Sequence, residues 1–310
     1  MARKSTQRQL NRFLMNNCKI ANELRKYRDL AGCLNQVSLS GERVRRPSDA
    51  ADYAEYFISG TLSYLDMVVA NAAYTLQVNS PQAEFQADAI AQIMAGNLER
   101  RIAEKQREEL EERLQKLAGV QIYILADHDH QVDQDLYEGR FLPVEWERRE
   151  GRTRFRFLPG QPMPLYQYAE HHRQMLEVPF RRLRDDQGEN QIRHNNNART
   201  LLLRHYLLQE LEILRYQKNK VGEQQIRLLK KDREGNEFGL LWTLGLSGGP
   251  EEQTVKDQNA LARNVQKTIQ QLMDNWQRSG YLERLRYQML PAEEGFGVRI
   301  SMGGQEKKNV

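Results

Sequence analysis

The sequence predicts a mostly α-helical α+β protein with small β-hairpins, organised as two units of similar design, and three observations carry that expectation. The chain has 310 residues, about twice a common domain length of ~150. Its hydrophobic periodicity switches between a helical spacing and strict alternation at defined points. The order of those switches, three helices followed by a hairpin, occurs once in each half, although the halves share no evident identity.

From Leu10 to Leu34 the apolar positions Phe13, Ile20, Leu24, Tyr27, Ala31 and Leu34 recur at sevens, threes and fours. That spacing predicts one amphipathic helix with basic residues between the apolar ones. Residues 1 to 49 then form a basic helical arm and linker, in which the stretch SLSGERVRRPSD carries Gly41, Pro47 and Arg43, Arg45 and Arg46.

The first unit is expected over residues 50 to 177. Ser48 and Asp49 are candidate caps for a helix beginning near Ala50, with Tyr53, Phe57, Leu62, Leu65, Met67 and Val69 on its apolar side. After a turn at Asn79-Ser80-Pro81 come a short helix from Asp88 to Met94 and a break at Gly96-Asn97. A longer helix follows from Glu99 to Leu117, with Ile102, Leu110, Leu114 and Leu117 inward. Past Gly119 the period becomes two, through Val120, Ile122 and Ile124. Strand-like runs follow at Leu136 to Trp146 and Arg152 to Leu158, with Glu150-Gly151 as a hairpin turn.

A connecting helix from Leu165 to Leu176, ended by Pro179, leads to a second unit over residues 178 to 303. There Ala198 to Leu214 reads as a strongly apolar helix, and 223 to 231 and 236 to 246 as shorter elements. Asn259 to Arg278 carries Leu261, Val265, Ile269, Leu272 and Trp276 at spacings of three and four. Ser279-Gly280 stops that helix. Strands follow at Tyr281 to Met289 and Phe296 to Ser301, and residues 304 to 310 are expected to be a disordered tail. Three helices closed by a two-stranded wing is how a winged helix is assembled, and its third helix commonly reads the major groove. The architecture expected is therefore tandem winged-helix units preceded by a basic amphipathic helix.

Composition narrows the function. With 39% hydrophobic residues and a mean hydropathy of -0.78, the chain is polar but not depleted of core-forming residues. No run of 18 apolar residues occurs and the N-terminal residues lack an apolar signal core, so a cytoplasmic protein away from membranes is expected. Cys18 and Cys33 fit neither a disulfide framework nor a zinc spacing and read as packing residues. The formal charge of +4 is unevenly spread. Residues 1 to 46 hold eleven basic side chains against three acidic ones, a distribution that suits phosphate or anionic lipid.

The segment IAQIMAGNLERRIAEKQREELEERLQKLAGVQIYI at 90 to 124, the Asn-rich cap before ARTLLLRHYLLQELEIL at 198 to 214, and NVQKTIQQLMDNWQR followed by SGYLERLRY at 264 to 287 carry a family likeness. In these segments the chain resembles the tandem winged-helix replication initiators of plasmids and related mobile elements, over about residues 50 to 303. The resemblance implies that the first unit serves dimerisation, that the second reads repeated origin DNA, and that the bound form recruits replication proteins. The long basic N-terminal helix and the low overall charge depart from that pattern.

Several side chains stand out as candidate DNA contacts. On the last long helix Arg263, Asn264, Lys267, Gln270, Gln271 and Asp274 point outward, and Arg, Asn and Gln are the side chains with bidentate partners on guanine and adenine. Arg152, Arg154 and Arg156 alternate onto one face of a strand beside Arg148 and Arg149, as a phosphate clamp or as charges that protect an edge. Arg100, Arg101 and Lys105 open the earlier long helix, but Glu108, Glu109, Glu111 and Glu112 follow. Asp127-His128-Asp129-His130 reads as a solvated turn rather than a metal site, and His171-His172 as surface.

The chain has no phosphate-binding glycine loop of the ATPase type and no nucleophile elbow. Glu104, Glu108 and Glu111 share a helix face as a solvated charge run. The expectation is thus a non-enzymatic protein without cofactor or metal that binds specific double-stranded DNA as a homodimer, in the initiation of plasmid or mobile-element replication. The alternatives are a winged-helix transcriptional regulator, and a helical dimeric interaction protein without nucleic acid whose seam is Phe13, Ile20, Tyr27 and Leu34.

Overall fold

A computed structural model describes residues 10–26, 30–38, 53–126, 135–184, 197–216, 223–229, 239–246 and 255–302. The chain divides into two compact units, Met1–Arg184 and Asp185–Val310, and both are α+β. Among the described residues no helix is long and apolar enough to cross a membrane.

The amphipathic helix expected over residues 10 to 34 does not form. Its place is taken by strand β1 (Arg12–Asn16), a short helix α1 (Lys19–Leu24) and strand β2 (Leu34–Ser38). The heptad-like spacing was a coincidence of two shorter patterns, because Phe13 and Met15 alternate inward as strand residues do and both are buried. Asn16 and Cys18 then set the helix boundary: Asn16 Oδ1 accepts from the Cys18 amide at 3.0 Å, and Cys18 Sγ from the Ala21 amide at 3.3 Å. Cys18 is buried, as a packing residue should be, but Cys33 is exposed.

One side of β1 pairs antiparallel with β9 (Met175–Pro179), setting Phe13 against Val178. On its other side, the Leu14 amide donates to Thr75 Oγ1 and the Asn16 amide to Asn71 Oδ1, both at 3.0 Å. Buried amides without partners are costly, so these side chains hold the N-terminal strand into the first unit as firmly as a neighbouring strand would. Phe13 and Ile20 are fully buried there, which removes them from any intermolecular helical seam.

The helix expected near Ala50 is instead strand β3 (Tyr53–Ile58), followed by helix α2 (Tyr64–Asn79). Ser63 and Asp66 form a reciprocal capping box that starts α2. The helix is buried nearly all round, so it shows little helical periodicity in its sequence. Next come the two-residue β4 (Glu84–Phe85), α3 (Ala87–Met94) and α4 (Glu104–Gly119). The break between α3 and α4 falls at Gly96, where φ is +62° and an added Cβ would lie 2.6 Å from the Arg184 amide nitrogen.

Strand β5 (Gln121–Ala126) alternates as predicted, but the run 136–146 is two strands, β6 (Asp135–Arg140) and β7 (Val144–Arg149), with β8 (Arg152–Phe157) after them. The strands serve two sheets. One has the order β2-β3-β5-β6, the other β4-β8-β7. The helix expected to reach Leu176 is α5 (Pro164–His171), after which the chain enters β9.

The second unit runs α6 (Ala198–Tyr216), β10 (Glu223–Arg227), α7 (Leu240–Thr243), α8 (Val255–Arg278), β11 (Leu285–Met289) and β12 (Gly297–Met302). Asn197 caps α6 by accepting from the Thr200 amide at 2.9 Å. The three strands form a sheet of order β10-β12-β11. With β5 and β6 set aside, the first unit has the same sequence of elements, α2-β4-α3-α4-β7-β8, and the same strand order of first, last, middle. The duplication of order seen in the sequence is therefore a duplication of topology. The strands set aside, β5 and β6, belong to the other sheet.

Candidate nucleic-acid interface

Helix α8 is placed by its apolar stripe. Ala262, Val265, Ile269, Leu272, Met273 and Trp276 are buried, and Leu261 is half-buried. With 3.6 residues per turn this leaves one opposite row, Lys256, Ala260, Arg263, Lys267, Gln270, Asp274 and Arg278. Arg263, Asn264, Lys267 and Gln270 are exposed, as predicted, and Gln271 is half-buried. Among the described residues neither Arg263 nor Lys267 forms an ion pair with one of the fold's own carboxylates: the nearest acid in the row, Asp274, accepts a hydrogen bond from Tyr287 on β11. Burial, and then the carboxylate it donates to, push the Tyr287 phenol up to about 12.

The hairpin is locked to this helix. Gln266 Nε2 donates to the Leu290 carbonyl at 2.6 Å and to the Gly297 carbonyl at 3.3 Å. Gly297, at φ +114°, lies so close to β10 that an added Cβ would stand 2.0 Å from the Ile226 carbonyl oxygen. Arg284, in the turn before β11, and Arg286, on that strand, are exposed, whereas Arg299 is held between Glu223 and Glu294 at 3.0 Å each. Arg284 and Arg286 were not among the residues singled out from the sequence. Their signal was present, an Arg-x-Arg alternation entering a strand, but it is shorter than the arginine run of the first unit.

The corresponding helix of the first unit is different in kind. Along α4, Glu104, Glu108, Glu109 and Glu112 are exposed beside Lys105 and Lys116. Its cations serve the fold. Arg113 reaches Asp66 at 3.0 Å and Lys116 reaches it at 2.7 Å, with the Asp66 side chain fully buried. Burial alone would raise the Asp66 carboxyl, but Lys116 and the Ser63 amide and hydroxyl outweigh it and hold the group below its ordinary value. Arg107 is likewise committed, to Asp88 at 2.7 Å and to Glu104. The helix begins at Glu104 and not at Glu99, so of the candidates expected to open it only Lys105, which is exposed, lies on it; Arg100, half-buried, and Arg101, exposed, precede it.

Arg152, Arg154 and Arg156 do share one face of β8, but the face is not basic. Strand pairing sets Arg156 between Glu84 and Glu145, and Arg154 beside Glu147. Arg156 Nε donates to Glu145 at 2.7 Å, Arg154 approaches Glu84 at 3.7 Å, and Arg149 approaches Glu147 at 2.7 Å. Glu145 raises the Arg156 guanidinium above its ordinary value. The ladder is a mixed-charge surface, which reading one strand at a time did not reveal. The turn beyond it is as expected, with Glu150 and Gly151 both at positive φ.

Arg43, Arg45 and Arg46, and the Asp127–His130 cluster, lie outside the described residues. His171 is exposed, and its Nδ1 lies 2.9 Å from the Tyr137 hydroxyl.

No protein-family model matches the chain, and no curated protein does. It is similar to two crystal structures of domains 2 and 3 of RctB, one of them of selenomethionine derivatives. Each is 11% identical with a TM-score of 0.40, over 87% of this chain and 90% and 91% of those chains. A likeness at that level is too weak to carry fold or function across, so the functional reading rests on the residues themselves.

Proposed function

We propose that this protein binds duplex DNA through its second unit, a winged helix whose α8 enters the major groove, with β11–β12 as the wing. The observation that carries this is the outward side of α8, where Arg263, Lys267 and Gln270 of that row and the adjacent Asn264 stand exposed on a helix fixed to its sheet by Gln266 and Tyr287. A rigid helix presenting forked and amide donors is suited to base edges. The first unit, with the same element order, is a second winged helix whose acidic α4 repels phosphate and does not read DNA.

The replication-initiator resemblance gives this binding a biological setting: repeated sites at the origin of a plasmid or mobile element, bound by a dimer that recruits replication proteins. No catalytic step belongs to the proposal, neither nucleotide hydrolysis nor DNA nicking. Selection of bound duplexes from a random pool is the test. Recovery of a defined motif, lost in Arg263→Ala and Lys267→Ala together, supports the reading, and the same enrichment with that double variant overturns it. A motif that recurs as direct repeats beside an origin would favour an initiator, whereas a single operator beside a promoter would favour a transcriptional regulator.

A further inference from the structure

The first unit holds a cleft of about 640 Å³ that the DNA reading leaves unused. Three segments distant in sequence line it: Leu10 and Asn11 ahead of β1, residues 96–99 between α3 and α4, and the stretch that leaves β9, with Pro179, Arg181 and Arg184. Its volume lies inside the range of about 300 to 1,000 Å³ common for small-molecule sites.

The walls are fixed by the fold itself. The Phe180 amide donates to the Asn11 carbonyl at 2.9 Å, which joins the first and third segments. The middle segment is a closed turn. In it the Asn97 amide donates to the Gln92 carbonyl at 3.0 Å, Gln92 Nε2 to the Arg100 carbonyl at 3.1 Å, and the Glu99 amide to Asn97 Oδ1 at 3.1 Å. That turn sits hard against the third segment, because a Cβ on Gly96 would stand 2.7 Å from the Cβ of Leu183, a fully buried residue. A cleft held open in this way keeps its shape without an occupant.

Two of its charged groups are unused by the fold. Glu99 and Arg181 are exposed and both line the cleft, yet among the described residues neither side chain forms an ion pair or a hydrogen bond, with the other or with a third group. Opposite charges free to meet would close on each other, so the walls hold these two apart. Leu10, Leu98 and Pro179, each half-buried, add apolar surface to the same cleft. A simple anion is repelled by Glu99 and a simple cation by Arg181. The ligand that fits carries an anionic end, hydrogen-bond donors away from it, and an apolar face. A free amino acid has these groups but is small for the volume, whereas a nucleoside phosphate has them at separate points of a molecule of suitable size. We propose that the cleft binds a free ribonucleotide. Arg181 takes its phosphate in a forked, charge-assisted pair, Glu99 accepts from the ribose hydroxyls, and the base lies on the apolar surface. The proposal is independent of DNA binding by the second unit.

Isothermal titration calorimetry of the full-length chain in EDTA is the test, with ADP, GDP, CDP and UDP, their 2′-deoxy counterparts and their nucleosides as probes. Circular dichroism establishes that each variant is folded. At least one ribonucleoside diphosphate should bind, about tenfold more tightly than its nucleoside and than its 2′-deoxy counterpart. Arg181→Ala should weaken the diphosphate about tenfold and leave the nucleoside unchanged. Glu99→Ala should instead erase the preference over the 2′-deoxy compound. The double variant Arg263→Ala, Lys267→Ala should bind the nucleotide as the wild type does. Absence of binding by all four diphosphates at up to ~1 mM overturns the proposal, as does binding that neither Arg181→Ala nor Glu99→Ala alters. Loss of binding in the α8 double variant also overturns it, by placing the nucleotide on that helix. Selection of duplexes by the same double variant reports on the DNA reading separately, so the two readings fail in different measurements.

Discussion

Helices α4 and α8 occupy the same position in two units of the same topology, yet they spend their charged residues differently. In α4 most cations are committed to the fold: Arg113 and Lys116 close on the buried Asp66, Arg107 closes on Asp88, and the open surface carries Glu104, Glu108, Glu109 and Glu112 against an unpaired Lys105. In α8 the arrangement is reversed. Its one acid in the outward row, Asp274, is engaged by Tyr287, and Arg263 and Lys267 remain exposed. A shared order of elements thus decides where a third helix lies, and the pairing of individual charges decides whether it can approach a polyanion.

The largest expected effect comes from removing the group that holds the α4 cations. Asp66→Ala takes away the capping-box carboxylate and the partner of two cations together, and should destabilise the first unit by about 2 to 4 kcal/mol. A thermal or urea melt checks this. The Asp66 carboxyl is depressed below its unfolded value of 3.8, so its contribution is complete above that pH and is lost as the pH falls through the folded value. The wild-type melt should therefore show this loss only in acid, and Asp66→Ala should lack it.

Next in size is α8, the helix proposed to read DNA. Arg263→Ala or Lys267→Ala should weaken binding to a selected duplex by about 1 to 3 kcal/mol, most on the cognate sequence, while Lys105→Ala on α4 changes it by less than about 0.5 kcal/mol. Salt titrations on cognate and scrambled duplexes separate the two. Equal losses from both helices would break the contrast between the units.

A smaller effect belongs to Tyr287→Phe, which frees Asp274 in the outward row. It should cost about 1 kcal/mol of stability in the second unit, seen in its melt. Because the folded phenol is raised from 10 to about 12, the stabilisation it reports is complete below pH 10 and is lost as the pH rises toward 12. The smallest effect is expected for Arg154→Ala and Arg156→Ala, whose charges are already balanced on the hairpin. Duplex affinity should barely move and the salt slope should be unchanged. A fall in slope of about 1 for each lost arginine would restore the hairpin as a phosphate clamp.

Local pattern was a good guide where one face of an element is buried and the other is wet. The stripe of α8, the alternation of β5, the turn at Glu150-Gly151 and the stop at Gly280 could all be read in advance, because each is set by its own few residues. It failed where burial is two-sided or elements are short. Residues 64–76 are buried nearly all round and so carry no stripe, and Ser63 and Asp66 were the overlooked sign of where that helix begins. Residues 12–38 hold three short elements whose apolar residues happened to fall at helical spacing.

By itself the sequence determined the α+β class, the repeated order of elements and the outward residues of α8, all of which follow from periodicity and turn chemistry along the chain. Tertiary structure alone decided that Arg12–Asn16 form a strand inside the first unit, that β5 and β6 join a separate sheet, and that Arg154 and Arg156 of the hairpin face glutamates. The reason is physical. Strand partners and ion pairs join residues far apart in the chain, such as Phe13 with Val178, Arg154 with Glu84 and Lys116 with Asp66, and no local pattern records which distant group will satisfy a buried amide or balance a charge.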